Sequence, residues 1–67
     1  MEMKMKTYEN RYVAIEQQPD RTWSLFNKVT GIWDDRKFPN YNSVRNSMVE
    51  ITERYKMIAR GRNPNYV

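Results

Sequence analysis

The chain contains no cysteine and no histidine, and each absence removes chemistry. Without thiols there is no disulfide staple and no thiolate metal site. Without imidazole the commonest metal ligand and the usual proton shuttle near neutral pH are missing. Glycine and proline are scarce, at two and three residues, so the turns that need them are easily placed. No apolar run approaches the about 18 residues of a membrane-spanning helix, and nothing has the layout of a signal peptide. These absences predict a soluble, cytoplasmic chain that carries no metal or other cofactor and does not enter a membrane. They also argue against an enzyme.

What is present fits one small domain. A chain of 67 residues buries too small a share of its surface to support two cores. Val13, Ile15, Leu25, Ile32, Phe38, Val44, Met48, Ile51, Tyr55 and Ile58 are the main candidates for burial, with Met57 as filler. A core of this size supplies about 3–5 kcal/mol, which predicts a monomer of modest stability or a weak homodimer. The net charge of +4 is unevenly spread: residues 1–10 balance, whereas residues 41–67 carry five bases against two acids. Clustered cations suit a polyanionic partner, and equally a solvated helix end.

Hydrophobic periodicity predicts an α+β fold, a three-stranded antiparallel sheet packed by one C-terminal helix. Arg11–Gln17 alternates as a strand, with Val13 and Ile15 on one face and Tyr12 and Ala14 on the other. Gln18-Pro19-Asp20-Arg21 is a turn, since proline presets φ and aspartate bonds the backbone ahead of it. Thr22–Asn27 is the second strand, and Gly31 closes a hairpin into a third over Ile32–Lys37. Pro39 then leaves the sheet. Val44, Met48, Ile51, Tyr55 and Ile58 draw one apolar stripe on a helix from about Ser43 to Arg60, capped by Asn42 or Ser43. Residues 1–8 alternate apolar and charged side chains, so they form either a flexible segment or a fourth, N-terminal edge strand. The domain proper spans 9–61, and 62–67 are a tail.

If Val13, Ile15, Trp23, Leu25 and Ile32 face the helix, the other face shows Tyr12, Ser24, Phe26, Lys28, Trp33 and Lys37. Aromatics interleaved with cations suit nucleic acid, where rings stack or wedge and cations neutralise phosphates. Exposed aromatics also anchor protein partners, and the N-terminal segment could cover them instead. Asp34 and Asp35 count against dense phosphate contact. Lys56 and Arg60 share a helix face and extend the basic surface. Pro19-Asp20 with Asp35-Arg36-Lys37 matches the spacing of metal-dependent nucleases only superficially, and the first pair is fully explained as a turn.

Arg11-Tyr12-Val13, Arg21-Thr22-Trp23, Gly31-Ile32-Trp33 and Phe38, in strands followed by a packing helix, resemble two DNA-binding families. These are the plant ethylene-response-factor domain and the arm-binding N-terminal domain of phage and transposon integrases. The resemblance covers residues 11–60 and implies a sheet laid in the DNA major groove, with Arg11, Arg21, Trp23, Trp33 and Lys37 in contact. Asp34-Asp35 and a helix without an alanine-rich face depart from that pattern. The short, charged, aromatic-bearing chain is also similar in style to accessory proteins of phages and mobile elements. The expected function is therefore a small non-catalytic nucleic-acid-binding accessory or regulatory module, most simply for DNA, with an adaptor or inhibitor that docks one protein through the same face as the alternative. The candidate contact residues are Arg11, Tyr12, Arg21, Phe26, Lys28, Trp33, Lys37, Lys56 and Arg60.

Overall fold

Strands β1 (Thr7–Glu9), β2 (Val13–Gln17), β3 (Trp23–Asn27) and β4 (Ile32–Trp33) form one antiparallel sheet in chain order, followed by helix α1 (Tyr41–Gly61). The computed structural model describes residues 5–61, with side chains up to residue 59. The α+β class is as the periodicity predicts, and the fourth strand at the N-terminal edge is formed. Tyr8 accounts for it: paired with Ile15, it lies on the helix face and stacks on Trp23 at 6.2 Å.

Period-two alternation sets the core. Val13 and Ile15 on β2, and Trp23 and Leu25 on β3, are buried, while the residues between them are only partly covered. Ile15 pairs with Leu25, so their side chains meet beneath the helix. Phe38 and Val44 complete the buried set, with Tyr12, Met48 and Ile51 packed against it.

Several boundaries differ from expectation, each for a local reason. The first long strand starts at Val13, not Arg11, because Asn10 Oδ1 accepts from the N–H groups of Tyr12 (2.7 Å) and Val13 (2.9 Å). That turn swings Tyr12 to the helix side, where it stacks on Tyr55 at 5.9 Å rather than joining the opposite face. β4 stops at Trp33, short of Lys37, because the Asp34 carboxylate folds back onto the Arg36 N–H at 2.8 Å. Phe38 then rejoins β3, its N–H and carbonyl both bonded to Trp23, with the register shifted by two residues relative to Phe26↔Trp33. Asn40, rather than Asn42 or Ser43, caps the helix: its Oδ1 accepts from the Ser43 N–H at 2.9 Å.

The apolar stripe outruns the sheet. A 21-residue helix is about 31 Å long, whereas five-residue strands span about 17 Å. Val44 is buried and Met48, Ile51 and Tyr55 are partly so, but Ile58 is 61% exposed and Met57 is exposed beside it. Ile32, at the sheet edge, is 65% exposed and likewise lies outside the core.

Two asparagines fasten the helix to one end of the sheet. Asn10 Nδ2 donates to Thr52 Oγ1 at 3.0 Å, and that hydroxyl donates to the Met48 carbonyl at 2.7 Å. In the β3–β4 turn Asn27 Oδ1 accepts from Val29 and Thr30 N–H, while its Nδ2 donates to Tyr55 Oη at 3.1 Å. Thr52 and Tyr55 are nearly one turn apart on α1, so both hairpin turns are clipped to neighbouring helix positions. At the opposite end, Arg21 closes the β2–β3 turn with φ of +76°. A left-handed arginine costs about 1–2 kcal/mol relative to glycine. Asp20 offsets part of it by accepting from Thr22 N–H (3.0 Å) and Thr22 Oγ1 (2.6 Å).

Candidate functional site

The sheet face turned away from α1 carries Ala14, Glu16, Ser24, Phe26 and Trp33, placed there by alternation along β2 and β3 and by the Phe26↔Trp33 pairing. Among the described residues no element lies over this face. Phe26 and Trp33 meet with ring centroids 5.0 Å apart and planes inclined at 52°, the offset geometry that aromatic pairs favour. Trp33 is 50% exposed and Phe26 is partly buried beneath it, so the pair stands as an apolar ridge near the β4 edge.

Beside the ridge lies an open depression of about 450 Å³ lined by Glu16, Gln18, Pro19, Asp20, Ser24, Trp33 and Lys37. Gln18 Nε2 donates to Glu16 Oε2 at 3.3 Å and to Ser24 Oγ at 3.2 Å, tying its polar wall together. Glu16 and Gln18 escaped the sequence analysis as site residues. Glu16 could have been found, since two-residue periodicity puts it on the face of Ala14. Gln18 could have been found by the same rule, since it continues the alternation two residues beyond Glu16 and its N–H still bonds the Thr22 carbonyl across the β2–β3 pair.

Three cations around the face, Lys28, Lys37 and Arg36, are engaged within the chain. Lys28 Nζ sits 2.7 Å from Glu9 Oε1 and donates to the Asn10 carbonyl at 2.9 Å, bracing the β3–β4 turn against the end of β1. Lys37 lies 3.9 Å from Asp20. Arg36 grips Asp34 through Nε (3.0 Å) and a terminal nitrogen (2.8 Å), and its guanidinium lies 4.9 Å from the Phe38 ring centroid. Arg21 is exposed on the neighbouring turn.

The remaining candidates are elsewhere. Arg11 and Lys56 line a separate cleft of about 280 Å³ with Asn10, Tyr12 and Thr52, on the helix side. Trp23, which the family resemblance would set in a DNA groove, is 3% exposed in the core. The Arg60 side chain and residues 1–4 and 62–67 lie outside the described residues. Asp20 and Lys37 come together as the superficial nuclease spacing would need, but Asp35 is not part of the depression they share. Among the described residues no three acidic side chains gather at metal-binding distance. Nor is any helix there long and apolar enough to cross a membrane.

Three carboxylates are held below their ordinary pKa by these contacts. Glu9 is lowered by its hydrogen bond and charge attraction to Lys28, Asp20 by the Thr22 hydroxyl and N–H, and Asp34 by Arg36. A carboxylate that titrates lower when folded makes the unfolded chain the better proton acceptor, so its stabilisation is present above the unfolded pKa and lost as pH falls through the folded value. With no histidine to titrate, the urea midpoint should be level between about pH 5 and 8 and decline below about pH 4. A midpoint that rose on acidification would contradict these contacts.

No match to a protein family, to a curated protein or to a solved structure is found for this chain. The likeness to DNA-binding sheet-plus-helix domains is thus one of element order, and function must be argued from the surface itself.

Proposed function

We propose that the chain is a non-catalytic protein-binding module, an adaptor or inhibitor, that docks one macromolecular partner on the open sheet face through Trp33 and Phe26. One observation carries this reading: the Trp33–Phe26 ridge, with Trp33 half exposed, stands beside Lys28 and Lys37, each already paired with an acid of the same chain. An aromatic ridge supported from below supplies large contact area at little entropic cost, and such residues dominate protein interfaces. Phosphate binding through Lys28 would compete with Glu9 and the Asn10 carbonyl. It would also bring phosphates toward Glu16 and Asp20 in the adjoining depression.

The two partner classes separate experimentally. A photo-crosslinking residue at Ser24, on the same face, should yield a discrete protein adduct in cells, and Trp33→Ala should abolish it. Tryptophan-fluorescence titration with mixed-sequence duplex and single-stranded DNA should show no salt-steep binding. An adduct removed by nuclease, or an affinity whose logarithm falls against log salt with a slope of about −3 to −4, would replace this reading with the nucleic-acid one.

A further inference from the structure

The flank of the molecule farthest from Trp33 offers a second surface. Among the described residues β1 pairs only with β2, and no strand lies beside its outer edge. Between that edge and α1 lies a cavity of about 210 Å³ lined in part by Tyr8, Tyr41, Arg45, Met48, Val49 and Glu53. Tyr8, Tyr41 and Val49 are 47, 41 and 43% exposed, a concentration of apolar surface beside a free strand edge. Isolated exposed apolar residues need no explanation, whereas a contiguous set marks an interface.

The charges on this flank identify its occupant. Tyr41, Arg45, Val49 and Glu53 follow one another at four-residue spacing and form one row on the helix. The row reads cation, apolar, anion about Val49. Among the described residues Arg45 makes no ion pair, and Glu53 reaches only Lys56 at 3.9 Å. An antiparallel copy of the same row, turned about Val49, sets Arg45 of each chain opposite Glu53 of the other and the two valines on the axis. It also sets Asn46 opposite Thr52 and Asn42 opposite Lys56, so no like charges meet. A two-fold interface must be self-complementary in this way, because each patch faces itself reversed.

We propose that two copies of this chain associate about a two-fold axis beside Val49, joining their α1 flanks and covering the exposed edges of β1. The dimer leaves the Phe26–Trp33 ridge free at the far edge of each sheet, so this inference stands or falls separately from the proposed function.

Sedimentation equilibrium of the full chain tests it, with Arg45→Glu, Glu53→Arg and the double reversal alongside. The parent chain is expected to dimerise reversibly. Each single reversal sets like charges opposite at both symmetry-related contacts and should weaken association by about tenfold or more. The double reversal restores both pairs and should return affinity to within about threefold of the parent. All three variants change exposed side chains, and unchanged far-UV circular dichroism would confirm that they fold. Val49→Glu, also exposed, places like charges on the axis and should abolish dimerisation independently. A chain monomeric up to about 1 mM, or a dimer indifferent to the single reversals, or a double reversal no better than either single, would overturn the proposal.

Discussion

Trp23→Ala is expected to leave the chain largely unfolded in water, while Trp33→Ala leaves it folded. Trp23 is 3% exposed and central to the helix side of the sheet. Its ring lies 6.2 Å from that of Tyr8 and 5.4 Å from that of Tyr41, and its backbone carries both bonds that return Phe38 to the sheet. Truncating a buried tryptophan costs about 3–5 kcal/mol. A core of this size supplies about the same, so little would remain. Trp33 is half exposed and forfeits mainly its contact with Phe26, a loss of about 1 kcal/mol. Urea titration followed by far-UV circular dichroism distinguishes them, and iodide quenching of the parent should reach Trp33 and spare Trp23. Equal losses from the two substitutions would mean that the helix does not cover the Trp23 face.

The two tryptophans show where sequence pattern suffices and where it stops. Trp23 precedes Leu25 by two residues, and Val13 precedes Ile15 likewise, so alternation places each pair on one face of its strand, and the Ile15↔Leu25 register brings the two pairs to the same side. The four-and-three spacing from Val44 to Tyr55 supplies a matching helix stripe. The pattern continues to Ile58, yet periodicity says nothing about how far the sheet extends beneath, and Ile58 is exposed for that reason. Tyr12 fits the outward set of a strand beginning at Arg11. It turns inward because Asn10 claims its N–H, a side-chain bond that no periodicity encodes. The acids that pair with Lys28 and Lys37 are also distant in sequence: Glu9 is 19 residues from Lys28, and Asp20 meets Lys37 across the whole β3–β4 hairpin. A basic, aromatic face read from composition thus becomes an aromatic face on which Lys28 and Lys37 are paired with acids of the same chain.

The same long-range chemistry makes Asn10 the polar residue whose loss should cost most. Its Oδ1 accepts from two backbone N–H groups, and its Nδ2 reaches Thr52, 42 residues away on the helix. Asn10→Ala orphans the Tyr12 and Val13 N–H groups at the edge of the core and releases the Thr52 clip. At about 1 kcal/mol per bond the expected loss is about 2–3 kcal/mol, half or more of the stability available to a core this small. Asn10→Asp keeps the acceptor and loses only the donor, so it should recover about half of that loss. Asn27→Ala should cost less, because Val29 and Thr30 lie on an exposed turn where water replaces the lost acceptor. The order expected in urea midpoints is therefore parent, then Asn27→Ala and Asn10→Asp, then Asn10→Ala. If Asn10→Ala proved no worse than Asn27→Ala, the β1–β2 turn would be holding its shape without the asparagine. The inward swing of Tyr12 would then need another cause, with its packing against Tyr55 the first to examine.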